Sequence, residues 1–337
     1  MRTPVGVAVA SVVIMAALWS FSPREAQSIP TIPDMVDRMQ LNSIARSGAG
    51  LVAGGELGYL MLSRDQGLTW QPAVLPAQRQ ALITQVAFAD AATGIAVGHE
   101  GWILRTTDGG RSWQEQAFDR KDGEPLMSVA RLPSGRWMAV GAFGRALASD
   151  DDGKSWRRLA LAAVEDRHLN RIAASGDGRH WLIVGERGLV LRSGDGGESW
   201  ETVTPFYAGS FYGAVHLGKS TWVVHGMRGN VFRSTDDGRS WVKSTLPAPV
   251  SLLAHGLGTD GRLLLAGQGG MVVASDDDGA SFKVVQAGGR ATLTDMTQLR
   301  SGDWLFASDR GLKRDISIAP TPSTSAAAAQ PNQGPSQ

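Results

Sequence analysis

Short apolar segments alternate with polar, turn-forming segments between about residues 40 and 316. Most of the apolar segments end in a tight Gly-x-x-Gly turn, and a second polar segment follows each turn. Runs of this length, bounded by Gly, Asp and Ser, predict β-strands joined by hairpins. The turns of the Gly-x-x-Gly type are Gly98–Gly101, Gly141–Gly144, Gly185–Gly188, Gly226–Gly229 and Gly267–Gly270, with Gly54–Gly58 in the corresponding place of the first repeat.

The second polar segment has the pattern Ser/Thr-x-Asp-x-Gly-x-Ser/Thr-Trp, an Asp-box, with Phe282 replacing the tryptophan in the last copy. An Asp side chain can accept hydrogen bonds from its own turn, and the Gly tolerates a positive φ. A constant period of about 40 to 45 residues is the length of one propeller blade. The six box aspartates, which we expect to be structural, are Asp65, Asp108, Asp151, Asp195, Asp236 and Asp277.

These repeats predict an all-β protein, a single β-propeller whose blades each contain four antiparallel strands. Strand-like segments without a box, residues 292–299, 303–308 and 311–316, favour an incomplete seventh blade over an appendage to six. Residues 41–318 are then the propeller, and residues 29–40 are a linker or a closing strand that completes the last blade.

The two ends have a different composition. Residues 1–28 resemble a secretory signal, with Arg2, an apolar stretch from Val5 to Trp19 and Ala26-Gln27-Ser28 at the end. An uncleaved signal anchor is the alternative. Residues 319–337, rich in Ala, Pro, Ser and Gln, are expected to be a disordered tail. We therefore expect an exported protein, periplasmic or lumenal.

Composition narrows the function. The formal net charge is +1, which gives no overall attraction to nucleic acid. The chain has no cysteine, so disulfides and thiolate metal sites are excluded. The six histidines show no paired ligand spacing and no phosphate loop is present, so we expect no metal and no cofactor.

The boxes, the Gly-x-x-Gly turns and the blade count resemble the photosystem II stability and assembly factor family of Asp-box propellers. The resemblance covers about residues 40 to 316 and implies a non-catalytic protein that helps to assemble a membrane complex through surface patches that include arginines. It implies a protein partner, and we expect the chain itself to be a monomer. Whether it serves a photosystem stays open.

Alternate connections of an antiparallel blade emerge on opposite faces, so the boxes share one face and the Gly-x-x-Gly turns share the other with the blade-to-blade connections. The second face is the predicted partner-binding surface, because arginine pairs with carboxylates and tyrosine anchors contacts. Solvated charges paired with nearby acids are the alternative. The predicted binding residues are Arg79, Arg120, Arg167, Arg187, Tyr212, Arg228, Arg290 and Arg310.

Two further functions remain as alternatives. A sialidase-like glycosidase needs a tyrosine nucleophile, for which Tyr59, Tyr207 and Tyr212 are available, or a carboxylate pair. Nothing in the sequence selects such a pair among Asp119, Asp122, Glu124, Glu165, Asp166 and Glu186. A glycan-binding module would use Trp102 and Phe143, which we expect to be exposed in turns.

Overall fold

The computed structural model describes residues 36–161, 164–316 and 318. All of them belong to the unit Ile32–Gln337, and the unit Met1–Thr31 lies outside the described residues. The predicted signal, most of the predicted linker or closing strand and the predicted tail also lie outside them. Among the residues that are described, no helix is long and apolar enough to cross a membrane.

Seven antiparallel sheets, each built from consecutive strands, form the seven blades of a β-propeller, which confirms the predicted fold. The first three blades are β1 (Leu41–Ser47), β2 (Gly50–Gly55), β3 (Leu60–Ser63) and β4 (Gln71–Pro72); β5 (Ile83–Phe88), β6 (Gly94–Gly98), β7 (Ile103–Thr106) and β8 (Gln114–Ala117); β9 (Leu126–Arg131), β10 (Trp137–Gly141), β11 (Ala146–Ser149) and β12 (Arg157–Arg158).

The remaining blades follow the same plan. They are β13 (Leu169–Ala174), β14 (Trp181–Gly185), β15 (Val190–Ser193) and β16 (Glu201–Thr202); β17 (Phe211–Gly218), β18 (Thr221–Gly226), β19 (Val231–Ser234) and β20 (Val242–Lys243); β21 (Leu252–Leu257), β22 (Leu263–Gly267), β23 (Val272–Ser275) and β24 (Lys283–Gln286); β25 (Leu293–Gln298), β26 (Trp304–Ser308) and β27 (Lys313–Ile316). In blades 1 to 6 a three-residue 3-10 turn joins the second and third strands.

The first strand of every blade contacts the first strands of its two neighbours, so these seven strands surround a central channel. The second strands form the core: β6, β10, β14, β22 and β26 are buried along their whole length. Large tryptophans pack between blades, and Trp137 and Trp222 are fully buried. A strand that is buried on both faces reads as a continuous apolar run, as these do.

Blade 7 closes the ring against blade 1. Thr294 Oγ1 donates to the carbonyl oxygen of Leu41 at 2.5 Å, and Ile44 N–H donates to Asp295 Oδ2 at 2.8 Å. Within the described part of the chain blade 7 has three strands. Leu312 N–H donates to the carbonyl oxygen of Val36 at 3.2 Å, so the start of the described chain meets the start of β27.

Candidate functional site

Each Asp-box carboxylate is held by hydrogen bonds within its own turn. In the first copy Ser63 Oγ donates to Asp65 Oδ1 at 2.8 Å, Thr69 N–H donates to the same oxygen at 2.9 Å, and Thr69 Oγ1 donates to Oδ2 at 2.5 Å. The other five copies have the same three bonds. These carboxylates are therefore committed to turns.

These bonds change the acidity of the box aspartates. Burial raises the pKa of Asp65 and Asp236, but hydrogen bonds to the ionised form outweigh it and bring both to about 2. For Asp195 the hydrogen bond that Ser199 donates is the largest cause of the lowered pKa, which is again about 2. The box aspartates stay ionised at neutral pH, as turn acceptors must.

The acidic runs beside the boxes are paired with arginines. Asp150 accepts from Arg136 at 2.6 Å and from Arg157 at 2.9 Å, and Asp152 accepts from Arg105 at 2.6 Å. Arg136, Asp150 and Asp152 line a cleft of blade 3 on the box face. In this part of the box face the charges of Asp150 and Asp152 are therefore balanced by arginines.

The opposite surface, here called the Gly face, consists of the turns between second and third strands and the connections between blades. Three arginines that were predicted to bind a partner are paired within this face. Arg79 donates to Glu115 at 2.5 Å and lies 4.6 Å above the Phe118 ring. Arg120 lies 3.7 Å from Glu100.

The third of these arginines is Arg167. Its Nε lies 3.9 Å from Glu165 and donates to the carbonyl oxygen of Val164 at 3.1 Å, and only 14% of its side chain is exposed. Arg79, Arg120 and Arg167 therefore match the alternative of paired loop charges.

The other four predicted arginines, Arg187, Arg228, Arg290 and Arg310, are exposed. No carboxylate of the described residues lies within 4.0 Å of their charged groups. The nearby acids bind backbone instead: Glu186 accepts from His168 N–H at 3.1 Å, and Asp309 accepts from Thr292 N–H at 2.8 Å.

Arg38 joins this group, and the sequence analysis missed it because it lies before the first repeat. It is exposed, and its backbone passes so close to blade 7 that a Cβ on Gly311 would lie 2.7 Å from Arg38 N. Arg38 is thereby placed beside the turn that carries Arg310. We call Arg38, Arg187, Arg228, Arg290 and Arg310 the cationic half-ring.

Charge divides the Gly face into two halves. The turns of blades 4 to 7 and the connections between those blades contain four arginines and two carboxylates. The turns of blades 1 to 3 and the connections that follow them contain four basic residues and seven carboxylates. The predicted residues thus do not form one patch, since only the half from blade 4 to blade 7 is positive.

Tyrosines and phenylalanines lie between the arginines of blades 4 and 5. Tyr207 is fixed, because its hydroxyl donates to the carbonyl oxygen of Met227 at 3.3 Å and accepts from Asn230 at 3.1 Å. Tyr212 is half-buried, and burial raises the pKa of its hydroxyl, with smaller effects from Tyr207 and Glu186. Of the two tyrosines, Tyr212 is the one whose hydroxyl has no hydrogen bond to another described residue.

The prediction that Trp102 is exposed is wrong. Its side chain is fully buried, donates from Nε1 to Glu115 at 3.0 Å and meets the edge of Phe118. It directly precedes the third strand of its blade, where the chain turns back into the core. Phe143 is 54% exposed, as expected for a turn residue, and packs its ring edge against His168.

The carboxylates considered for glycoside hydrolysis lie in turns and connections of the Gly face. Asp119 accepts backbone N–H groups of its own turn, and Glu124 lies 3.4 Å from Arg145. Within residues 36–161 and 164–314, no three His, Asp or Glu side chains lie close enough to hold a metal ion.

Comparisons with known proteins identify relatives of the same fold. The family described as Photosynthesis system II assembly factor YCF48 matches residues 62–165 and 133–312. A search of curated proteins gave no match. Two solved structures of similar fold are "YCF48 bound to D1 peptide", with 21% identity over 87% of this chain and 96% of that chain and a TM-score of 0.64, and "YCF48 from Cyanidioschyzon merolae", with 17% identity over 85% and 97% and a TM-score of 0.66.

Propellers with other functions share the architecture. A streptogramin B lyase structure has a TM-score of 0.69 at 15% identity, over 86% of this chain and 94% of that chain. Such likeness shows the fold alone. The family match, in contrast, covers most of the sequence, because its two segments together span residues 62–312. The protein therefore belongs to the YCF48 family of photosystem II assembly factors.

Proposed function

We propose that the protein is a non-catalytic assembly factor that binds an acidic, extended segment of a membrane protein through the cationic half-ring. The observation that carries this proposal is the set of five exposed arginines without carboxylate partners on one half of the Gly face. Guanidinium groups bind carboxylates through two parallel N–H donors, and an unpaired guanidinium keeps this capacity for a ligand.

Turn geometry supports the same surface. Arg187 and Arg228 occupy the middle of their turns with φ of 51° and 54°, a left-handed conformation that costs a non-glycine residue about 1 kcal/mol. Blade 6 has Gly269 in the equivalent place, with φ of 69°. The middle residues of the turns in blades 1 to 3 have the same positive φ, so this conformation belongs to the turn itself. Its value for binding is that it presents the middle side chain, an arginine in blades 4 and 5, on the Gly face.

A related protein also supports a peptide ligand, because one solved YCF48 structure has a D1 peptide bound. Tyr212, half-buried between the turns of blades 4 and 5, is suited to anchor an apolar side chain of such a segment. We place the protein on the exported side of a membrane, periplasmic or lumenal, on the strength of the signal-like residues 1–28.

The test uses a photo-crosslinking side chain on each face of one blade. Position 269 lies within the cationic half-ring, and position 261 lies in the opposite turn of the same blade. A Cβ at either position would meet no atom within 4 Å, and both have a positive φ. A crosslinking side chain at position 269 is expected to capture a membrane protein. The same side chain at position 261 is expected to capture none.

Charge reversal then identifies the arginines. The triple variant Arg187→Glu, Arg228→Glu, Arg310→Glu should lose the crosslink at position 269. The matched control is Arg64→Glu, Arg179→Glu, Arg300→Glu, three exposed arginines of the box face with the same change in charge. Equal loss in both triples would show a nonspecific charge effect, and retention in the first triple would refute the proposed surface.

A further inference from the structure

The aromatic residue of an Asp-box packs against the preceding blade at six of the seven junctions between blades. At the junction of blades 2 and 3, Trp156 belongs to the same apolar cluster as Ile95 on β6. The glycine of this box lies over the same side chain, because a Cβ on Gly153 would lie 2.6 Å from Ile95. The equivalent pairs at the other five junctions are Trp70 with Leu305, Trp113 with Val52, Trp200 with Met138, Trp241 with Leu182 and Phe282 with Val223.

The junction of blades 6 and 7 has no box aromatic, because the sequence of blade 7 contains no box. The equivalent second-strand residue is Leu264 on β22, and it is buried although no box covers it. Its apolar cluster includes Trp304 of blade 7, and a residue that follows β27, the half-buried Ile318, packs against this cluster. Ile318 therefore lies at the junction where a box aromatic lies elsewhere.

A cavity remains at this junction. Its volume is about 350 Å³, and Arg262, which precedes the second strand of blade 6, lies in its wall. At the junction of blades 3 and 4 the equivalent arginine is Arg136, and the cavity beside it, of about 220 Å³, is lined by Gly197 and Trp200 of the next box. An isoleucine side chain is smaller than an indole, so more space stays open where Ile318 replaces a box. The wall of the larger cavity also includes Leu264, Trp304 and Ile318.

A box also fixes its aromatic by hydrogen bonds. In blade 4 the Ser199 hydroxyl donates to Asp195 at 2.5 Å, and Trp200 Nε1 donates to the carbonyl oxygen of Gly197 at 3.1 Å. The isoleucine side chain has no polar group, so apolar contact is the interaction that holds the side chain of Ile318. The last junction thus has a weaker attachment than the junctions that contain a box.

We propose that Ile318 is a C-terminal strap that replaces the seventh box aromatic, and that the junction it closes opens more readily than the other six. Local opening needs least free energy where few buried apolar contacts hold a segment. Release of Ile318 exposes Leu264 and Trp304 while the rest of the propeller stays folded. The strap concerns closure of the ring and does not depend on the proposed binding function.

A single cysteine reports the opening of a junction, because the chain has no cysteine of its own. Leu264→Cys and Val223→Cys place a thiol at equivalent buried positions, which Ile318 and the box residue Phe282 respectively close. A thiol reagent under native conditions should label the Leu264→Cys variant at least about tenfold faster, after division by the labelling rate in urea. Equal rates for the two variants would overturn the proposal.

Substitutions of Ile318 in the Leu264→Cys protein test the strap itself. Ile318→Ala should raise the labelling rate at least about tenfold, because it removes most of the apolar contact. Ile318→Trp should lower the rate, because the cavity of about 350 Å³ has room for the indole of a box. Val242→Ala, at a valine that is 73% exposed, is the control and should leave the rate unchanged. An unchanged rate in Ile318→Ala, or faster labelling in Ile318→Trp, would refute the role of Ile318.

Two further arms separate the strap from other causes. Ile318→Ala should not change the labelling of the Val223→Cys variant, and an equal rise at both positions would show a loss of overall stability instead of the opening of one junction. A chain that ends after Ile318 should keep the rate of the full chain. Faster labelling of that shortened chain would assign the strap to residues 319–337 and overturn the assignment to Ile318.

Discussion

The close pairing of Gly213 with His225 gives the sharpest test of how blade 5 is packed. The two residues lie opposite each other on β17 and β18, and a Cβ on Gly213 would lie 2.3 Å from His225 Nε2. Blade 3 has Ser128 opposite Val140 in the same place. We therefore predict that Gly213→Ser and His225→Val each destabilise the protein, and that the double variant does not add the two losses.

The magnitudes follow from the contacts that are lost. Gly213→Ser displaces His225 from two hydrogen bonds of 3.0 Å, and the overpacking and the unpaired groups together cost about 3 kcal/mol. His225→Val loses the same bonds and costs about 2 kcal/mol. In the double variant the serine can accept the His255 N–H, as Ser128 accepts from Ile172, so we expect a loss of about 2 kcal/mol.

Urea unfolding at 25 °C, followed by the fluorescence of the 11 tryptophans, measures these free energies. The expected coupling between the two positions is about 3 kcal/mol, against zero for independent sites. Gly176→Ser is the control, because a Cβ there meets no atom within 4 Å and φ is not positive. A double variant that loses the sum of the two single losses would refute this account of the packing.

Three further predictions concern the turns. Asp236→Ala removes the acceptor for Ser234, Arg239 and Ser240 and should lower the free energy of unfolding by about 2 kcal/mol, whereas Asp122→Ala, at an exposed aspartate, should change it little. The pKa of Asp65, Asp195 and Asp236 is about 2 in the folded protein and about 4 in the unfolded chain. The stability that these ionised groups give to the folded protein is therefore complete above about pH 4 and is lost as the pH falls toward 2. A urea midpoint that stays constant from pH 5 to pH 2 would contradict this prediction. Arg228→Gly should relieve the left-handed turn, raise stability by about 1 kcal/mol in thermal unfolding and weaken crosslinking at position 269; a loss of stability would argue against backbone strain.

The sequence was sufficient for the fold because each blade repeats its own turn chemistry. A box aspartate bonds only to residues within four positions of itself, so the turn can be recognised without knowing what lies around it. The seventh blade has no box, and its strands from Leu293 to Ile316 were recognised by the apolar pattern alone.

The charge pattern of the Gly face could not be predicted in the same way, because it depends on contacts between separate turns. Arg79 pairs with Glu115 on β8, the outer strand of the next blade, and Arg120 pairs with a turn 20 residues earlier. Arg38 lies outside the repeats and comes to blade 7 only through ring closure. A count of charges along the chain treats paired and unpaired arginines alike.

The side-chain oxygens that accept a backbone N–H from the next blade could have been found from sequence by aligning the first strands. Ser43, Gln85, Ser128 and Asp295 stand at one position, and Arg171, Gly213 and Ala254 interrupt the series of acceptors. The burial of Trp102 was harder to foresee, because it follows a turn directly and is covered by Gly58 and Phe118, which are distant from it in sequence.

Two independent departures from sevenfold repetition lie in the same part of the ring. The boxes hold blades 1 to 6 in the same way, and buried second strands are common to all seven blades. The acceptor series is interrupted in blades 4 to 6, and the unpaired arginines extend from blade 4 through blade 7. Strands that enter the channel wall begin at the Gly face, so this sector joins both features on one side of the propeller and is where binding is expected.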